Sequence, residues 1–173
     1  MKKIIYILLL ILVGNFGAYA QASTEKKTKI KTSMEIVARE KFDPTRNAVE
    51  DLQASITKAT KENKRIILDV GGEWCIWCRW MDEYFIKNSD LTKLRDENFV
   101  WLKINMSEEN DNTEFLAKYP KAEGYPHLYV LEKDGTFLHS QGTAELEEEK
   151  SYNKQKFTDF LKKWSPSKST ETK

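Results

Sequence analysis

The chain has 173 residues, 40% hydrophobic, 12% aromatic and 32% charged, with 28 Lys and Arg against 27 Asp and Glu for a formal net charge of +1. So even a balance argues against nucleic acid or anionic lipid as the main partner, because both need a concentrated basic face. The apolar and aromatic content suits a soluble globular fold, and the length holds about one domain.

Lys2 and Lys3 precede an uninterrupted apolar run from Ile4 to Val13, and Ala18-Tyr19-Ala20 supplies the small-x-small pattern a signal peptidase reads. A secretory signal over residues 1–20, cleaved after Ala20, is therefore expected. The alternative, a retained anchor, would have to span with about half of the roughly 20 apolar residues a membrane helix requires. Removing the first 20 residues leaves 153, and the loss of Lys2 and Lys3 turns the formal charge from +1 to −1. The expected location is periplasmic or secreted, where a disulfide persists.

Residues 21–33, polar and lysine-rich, read as a flexible leader, and residues 165–173 as a flexible tail. Residues 34–164 remain as one domain. Within it, residues 34–42 suggest an edge strand. Asp43-Pro44-Thr45 opens a helix with Val49, Leu52, Ile56 and Ala59 on one face, ending near Asn63. Residues 65–70, continuously apolar and β-branched, predict a strand covered on both faces. A helix follows from Cys75 to about Lys87, with Trp77, Trp80, Met81, Tyr84 and Phe85 at helical spacing. A short helix over 91–96, a strand over 99–106 and a helix over 113–119 come next.

Residues 126–131 and 136–141 predict two strands joined by Glu132-Lys133-Asp134-Gly135, in which Asp-Gly signals a hairpin. The acidic run from Glu145 to Glu149 reads as a solvated loop or helix start. A helix over 151–164, with Phe157, Phe160, Leu161 and Trp164 inward, closes the chain. The fold class is α/β, with a central mixed sheet of about four to five strands and helices on both faces.

Both cysteines of the chain lie in Trp74-Cys75-Ile76-Trp77-Cys78. As a staple, a bridge closing about four residues contributes only ~2 kcal/mol. A zinc site lacks ligands, since His127 and His139 stand far along the chain in no finger-like spacing. Haem attachment would need His where Arg79 stands. Redox chemistry explains the placement with the fewest assumptions. Cys75 falls at the first turn of a helix, whose unpaired N–H groups and dipole favour a thiolate, so it is expected to be the exposed nucleophile. Cys78, one turn further in, is the shielded resolving thiol.

The stretch Ile67-Leu68-Asp69-Val70-Gly71-Gly72-Glu73-Trp74-Cys75, with an acid six residues before the first cysteine and Trp immediately before it, resembles the thioredoxin-like superfamily. Leu102-Lys103-Ile104-Asn105 and the loop Gly124-Tyr125-Pro126-His127-Leu128 extend the likeness over roughly residues 45–164. It is closest to the secreted Trp-Cys-x-Trp-Cys type and to the thioredoxin-like domain of periplasmic disulfide interchange proteins. The resemblance implies a thioredoxin fold and a Cys75–Cys78 disulfide. It makes Asp69 the proton acceptor for Cys78, since a buried carboxylate holds a proton more readily. It pairs Lys103 with Asp69 against the alternative of a lysine snorkelling to solvent. It places Trp74, Tyr125 and a cis Pro126 at the substrate groove.

The function so implied is that of an exported thiol-disulfide oxidoreductase acting on protein disulfides, more as reductase or isomerase than as oxidant. No cofactor and no metal are implied. The partners are proteins with disulfides or thiols and a membrane electron donor or acceptor for recycling, and the chain is read as a monomer. A polypeptide-binding adaptor or chaperone with an inert disulfide is the alternative. Four residues depart from the family pattern: Ile76-Trp77 replaces Gly-Pro between the cysteines, Glu83 replaces a helix-kinking proline, and Tyr125 is bulkier than the usual Ile or Thr. His127 is left out of the mechanism, and Trp77 and Trp80 are read as core residues, with Trp77 alternatively joining Trp74 and Tyr125 in an apolar rim around Cys75.

Overall fold

The computed structural model describes residues 39–167, and their periodicities sort into a four-stranded sheet between two layers of helix. The signal, the leader and residues 168–173 of the tail lie outside the described residues. So does residue range 34–38 of the expected edge strand, and the remainder, residues 39–42, does not join the sheet.

Helix α1 is Ala48–Glu62. Asp43-Pro44-Thr45 forms a turn instead of the first helical residues, with the Asp43 carboxylate accepting from Thr45 N at 2.8 Å. Asn47 starts the helix, its Oδ1 accepting from Val49 N at 3.0 Å and Glu50 N at 3.3 Å. Of the expected inner face, Leu52, Ile56 and Ala59 pack inward, joined by Ala48 and Ser55, whereas Val49 is 56% exposed.

Strand β1, Arg65–Gly71, sits second in the order β2-β1-β3-β4. It pairs parallel with β2, Phe99–Asn105, and antiparallel with β3, His127–Leu131, which pairs antiparallel with β4, Phe137–Gly142. Gly135 in the β3–β4 turn has φ +89°, a conformation that favours glycine. Side chains alternate across β1. Ile66, Leu68 and Val70 pack with α1 and α4, Thr113–Leu116. Ile67 faces the other layer, made of α2, Ile76–Lys87, α3, Ser89–Asn98, and α5, Lys154–Trp164.

The acidic run is not a loop: Leu146 is buried at the end of a 3-10 turn, and Glu147–Glu148 pairs as β5 with Ser151–Tyr152, β6. The closing helix consequently begins three residues later than expected, where Asn153 Oδ1 accepts from Lys156 N at 2.9 Å. Its inward residues Phe157, Phe160 and Leu161 are buried, with Trp164 packed beside them.

Candidate active site

At the carboxyl end of β1 the chain turns through Gly72, Glu73 and Trp74 into α2, and Cys75 occupies the N-cap. Its Sγ accepts from Cys78 N at 3.1 Å and is bonded to Cys78 Sγ, so the disulfide closes the first turn of the helix. Gly71 is required for close approach, because a Cβ there would lie 2.5 Å from Cys78 Sγ. Cys78 is fully buried. Cys75, expected to be exposed, is only 4% so, because Phe42 and Tyr125 pack over the pair.

Asp69 is fully buried on the α2 side of β1. Its Oδ2 accepts from Lys103 Nζ at 2.8 Å and from Trp101 Nε1 at 3.1 Å, while its Oδ1 has no hydrogen-bond partner among the described residues. The parallel register sets Asp69 directly opposite Lys103 on β2, so the lysine points inward and does not snorkel. Lys103 Nζ also donates to Asp82 Oδ1 at 2.7 Å and stands 4.1 Å above the Phe42 ring. Burial works against its charge, but Asp69 and Asp82 outweigh it and hold the ammonium above its ordinary range.

Asp82 in turn binds Arg39 at 3.0 Å, and Arg39 forks to the Glu73 carboxylate, which accepts from Phe42 N at 2.9 Å. Burial raises Asp82 above the usual carboxylate range, with Lys103 opposing. The Arg39 guanidinium holds Glu73 below that range. Three carboxylates thus share two cations, and the sharing leaves one acid oxygen, Asp69 Oδ1, unpartnered among the described residues.

The Tyr125-Pro126 peptide bond is cis, Pro126 is buried, and its carbonyl accepts from Thr143 Oγ1 at 2.7 Å. Tyr125 meets Trp74 edge to face, with ring centroids 5.8 Å apart. Trp74 is 60% exposed, and its Nε1 donates to Met106 O at 2.6 Å. Trp77 and Trp80 pack against each other and the core. His127 hydrogen-bonds Ser140 Oγ at 2.8 Å on the opposite sheet face.

Asp69, Lys103, Cys75, Cys78, Trp74, Tyr125 and Pro126 therefore gather at one end of the sheet. Asp82, Arg39, Glu73, Phe42 and Trp101 join them without having been singled out from the sequence. For Asp82 a signal existed: it stands four residues beyond Cys78, a carboxylate on the stripe that buries Cys78, Met81 and Phe85. Arg39 and Phe42 carried none.

The profile of the thioredoxin-like family matches residues 47–133, and the chain belongs to that family. It has a disulfide-oxidoreductase type of fold carrying the Cys75-x-x-Cys78 pair. Over 95 residues it is 30% identical to the thiol:disulfide interchange protein DsbD of Colwellia psychrerythraea, covering 54% of this chain and 15% of that protein. Over 59 residues it is 41% identical to human spermatogenesis-associated protein 20, covering 34% of this chain and 8% of the other. The chain thus matches only a small part of each relative. Among solved structures, a disulphide isomerase from Xylella fastidiosa Temecula1 superposes with a TM-score of 0.61 at 24% identity, covering 70% of this chain and 94% of that one. The oxidised C-terminal domain of DsbD from Neisseria meningitidis gives 0.50 at 21% identity, covering 72% and 99%. These likenesses show the fold.

Proposed function

We propose that the protein is an exported thiol-disulfide oxidoreductase that acts on protein disulfides, as reductase or isomerase in preference to oxidant. The observation that carries this reading is the Cys75–Cys78 disulfide at the N-terminus of α2, on the face of β1 that holds a buried Asp69 with a free Oδ1. In the reducing direction, Cys75 thiolate attacks one sulfur of a client disulfide. A mixed disulfide forms and the second client sulfur leaves as thiolate. Cys78 passes its proton to Asp69 and attacks Cys75 Sγ, which expels the first client sulfur. Two electrons have then moved to the client, and the pair is oxidised. A membrane-bound dithiol donor would return them. In isomerisation a second client thiol resolves the mixed species, with no net electron transfer. The relatives' names as interchange proteins and isomerase support this direction, and the signal pattern of residues 1–20 supports export.

The near-complete burial of Cys75 favours a second reading, an adaptor that binds polypeptide through Trp74 and keeps an inert disulfide. Titration against glutathione separates the two. An oxidoreductase equilibrates its Cys75–Cys78 pair, and its Cys78→Ser variant accumulates mixed disulfides through Cys75 in cell extracts. A pair that never exchanges, with no trapped clients, establishes the adaptor.

A further inference from the structure

Beside the disulfide opens a cavity of about 560 Å³, within the range that holds small ligands, roughly 300–1,000 Å³. Trp74 and Tyr125 form one wall, Met106 lies between, and Glu108, Glu109 and Asp111 of the β2–α4 loop form the other. Its link to the sulfurs runs through two of its lining residues, since Tyr125 also packs on Cys75 and Cys78, and Trp74 precedes Cys75.

The two walls have different chemistry. The indole N–H of Trp74 is committed to Met106 O, so the ring offers a ligand its π surface and no donor. Across from it the charged groups are all acceptors, the Ser107 hydroxyl is committed to Glu109, and among the described residues no basic side chain lines the cavity. None of the three carboxylates is ion-paired among the described residues. Glu109 and Asp111 stay charged, held below the usual carboxylate range by the Ser107 hydroxyl and by the Thr113 amide. The loop is preformed: Asn105 Nδ2 donates to Asn110 O at 2.7 Å, Asn110 Nδ2 to Pro44 O at 2.9 Å, and Asn112 Nδ2 to Asn105 O at 2.8 Å.

An aromatic wall facing unneutralised carboxylates suits a cation on an apolar stem, because the stem covers the rings while the head meets π charge and oxygen together. We propose that this cavity is the subsite for the side chain next to the client's reacting cysteine, and that it selects arginine or lysine there. The proposal rests on the reading of the chain as an oxidoreductase of protein disulfides. An acidic neighbour meets like charge, and a neutral one leaves the carboxylates unpaired.

The test uses oxidised full-length protein and redox-inert octapeptides in which Ser replaces the cysteine and its neighbour is Arg, Gln or Glu. NMR titration follows the Trp74 indole N–H. The Arg peptide is expected to bind about tenfold tighter than the Glu peptide, with Gln between, and the ratio to fall in concentrated salt. In Glu108→Gln/Glu109→Gln/Asp111→Asn the ratio collapses towards one. All three positions are exposed, and Asn at 111 keeps an acceptor for Thr113, so the variant folds. Equal affinities in the wild type, or a ratio that survives in the variant, overturn the proposal. Reduced wild-type protein is assayed separately on bis(2-hydroxyethyl) disulfide. Failure there sinks the oxidoreductase reading, whereas the peptide titration judges the subsite alone.

Discussion

Lys103 is the residue on which the buried charges depend. It bridges Asp69 and Asp82 with side-chain exposures of 4%, 0% and 10%, and removing one partner of a buried pair strands the other charge. Lys103→Met is expected to lower stability near neutral pH by roughly 3–5 kcal/mol, and Asp69→Asn in the same background to restore part of it. The loss shrinks in acid, where the stranded carboxylates protonate. In the wild type the sign at the alkaline end is opposite. Because Lys103 is held above its ordinary 10.5, its contribution is whole below that pH and is lost as pH rises beyond it through the raised value. Asp82, raised above 3.8 by burial, contributes fully below that value and less as pH climbs through its raised one. Urea unfolding of the wild type and both variants across pH checks these statements.

At the scale of the element, α2 does the chemistry that a lone cysteine does not. Its N-terminal N–H groups converge on Cys75, one of them already donating to Sγ, and the helix continues twelve residues to Lys87. Once the pair is reduced, that end of the helix stabilises a thiolate at Cys75, so alkylation of the reduced protein is expected to show a midpoint well below the ~8.5 of a free cysteine. Cys78, fully buried, reacts only after unfolding. Iodoacetamide labelling against pH, with the labelled site read by mass spectrometry, decides this. A midpoint at or above the free value would mean that the cover of Phe42 and Tyr125 outweighs the helix.

On the scale of the whole molecule, the site is held in place by α5, which packs beside α2 on the same face of the sheet. Phe157 is fully buried, with its ring 5.2 Å from both Phe85 of α2 and Tyr152 of β6, and the Tyr152 hydroxyl donates to Trp77 O at 3.2 Å. Phe157→Ala is expected to cost about 3–5 kcal/mol and to speed amide hydrogen exchange in α2, measured by denaturant melts and exchange mass spectrometry.

Most strands and helices were legible because each is written in a local period: β1 in its unbroken apolar run, α2 and α5 in their apolar stripes, the β3–β4 turn in Asp134-Gly135. The errors fell where a local contest was close. Asn47 outcompeted Asp43 as a cap, Val49 lies off the buried face of α1, and Asn153 starts α5 behind a two-residue strand. The placement of the disulfide and of the buried carboxylate was legible as well, since Cys75, Cys78 and Asp69 lie within ten residues on a strand, a turn and a helix whose directions the pattern determines. Sequence periodicity alone settles which way a side chain points from its own element. It carries nothing about what arrives from elsewhere. The meeting of Lys103 with Asp82 across 21 positions and of Arg39 with Asp82 across 43, the cover that Phe42 and Tyr125 lay over Cys75, and the cavity between Trp74 and the Glu108–Asp111 loop were decided only by tertiary packing. These contacts depend on how whole elements dock, and docking buries apolar area and avoids unpaired buried charge over the entire chain at once.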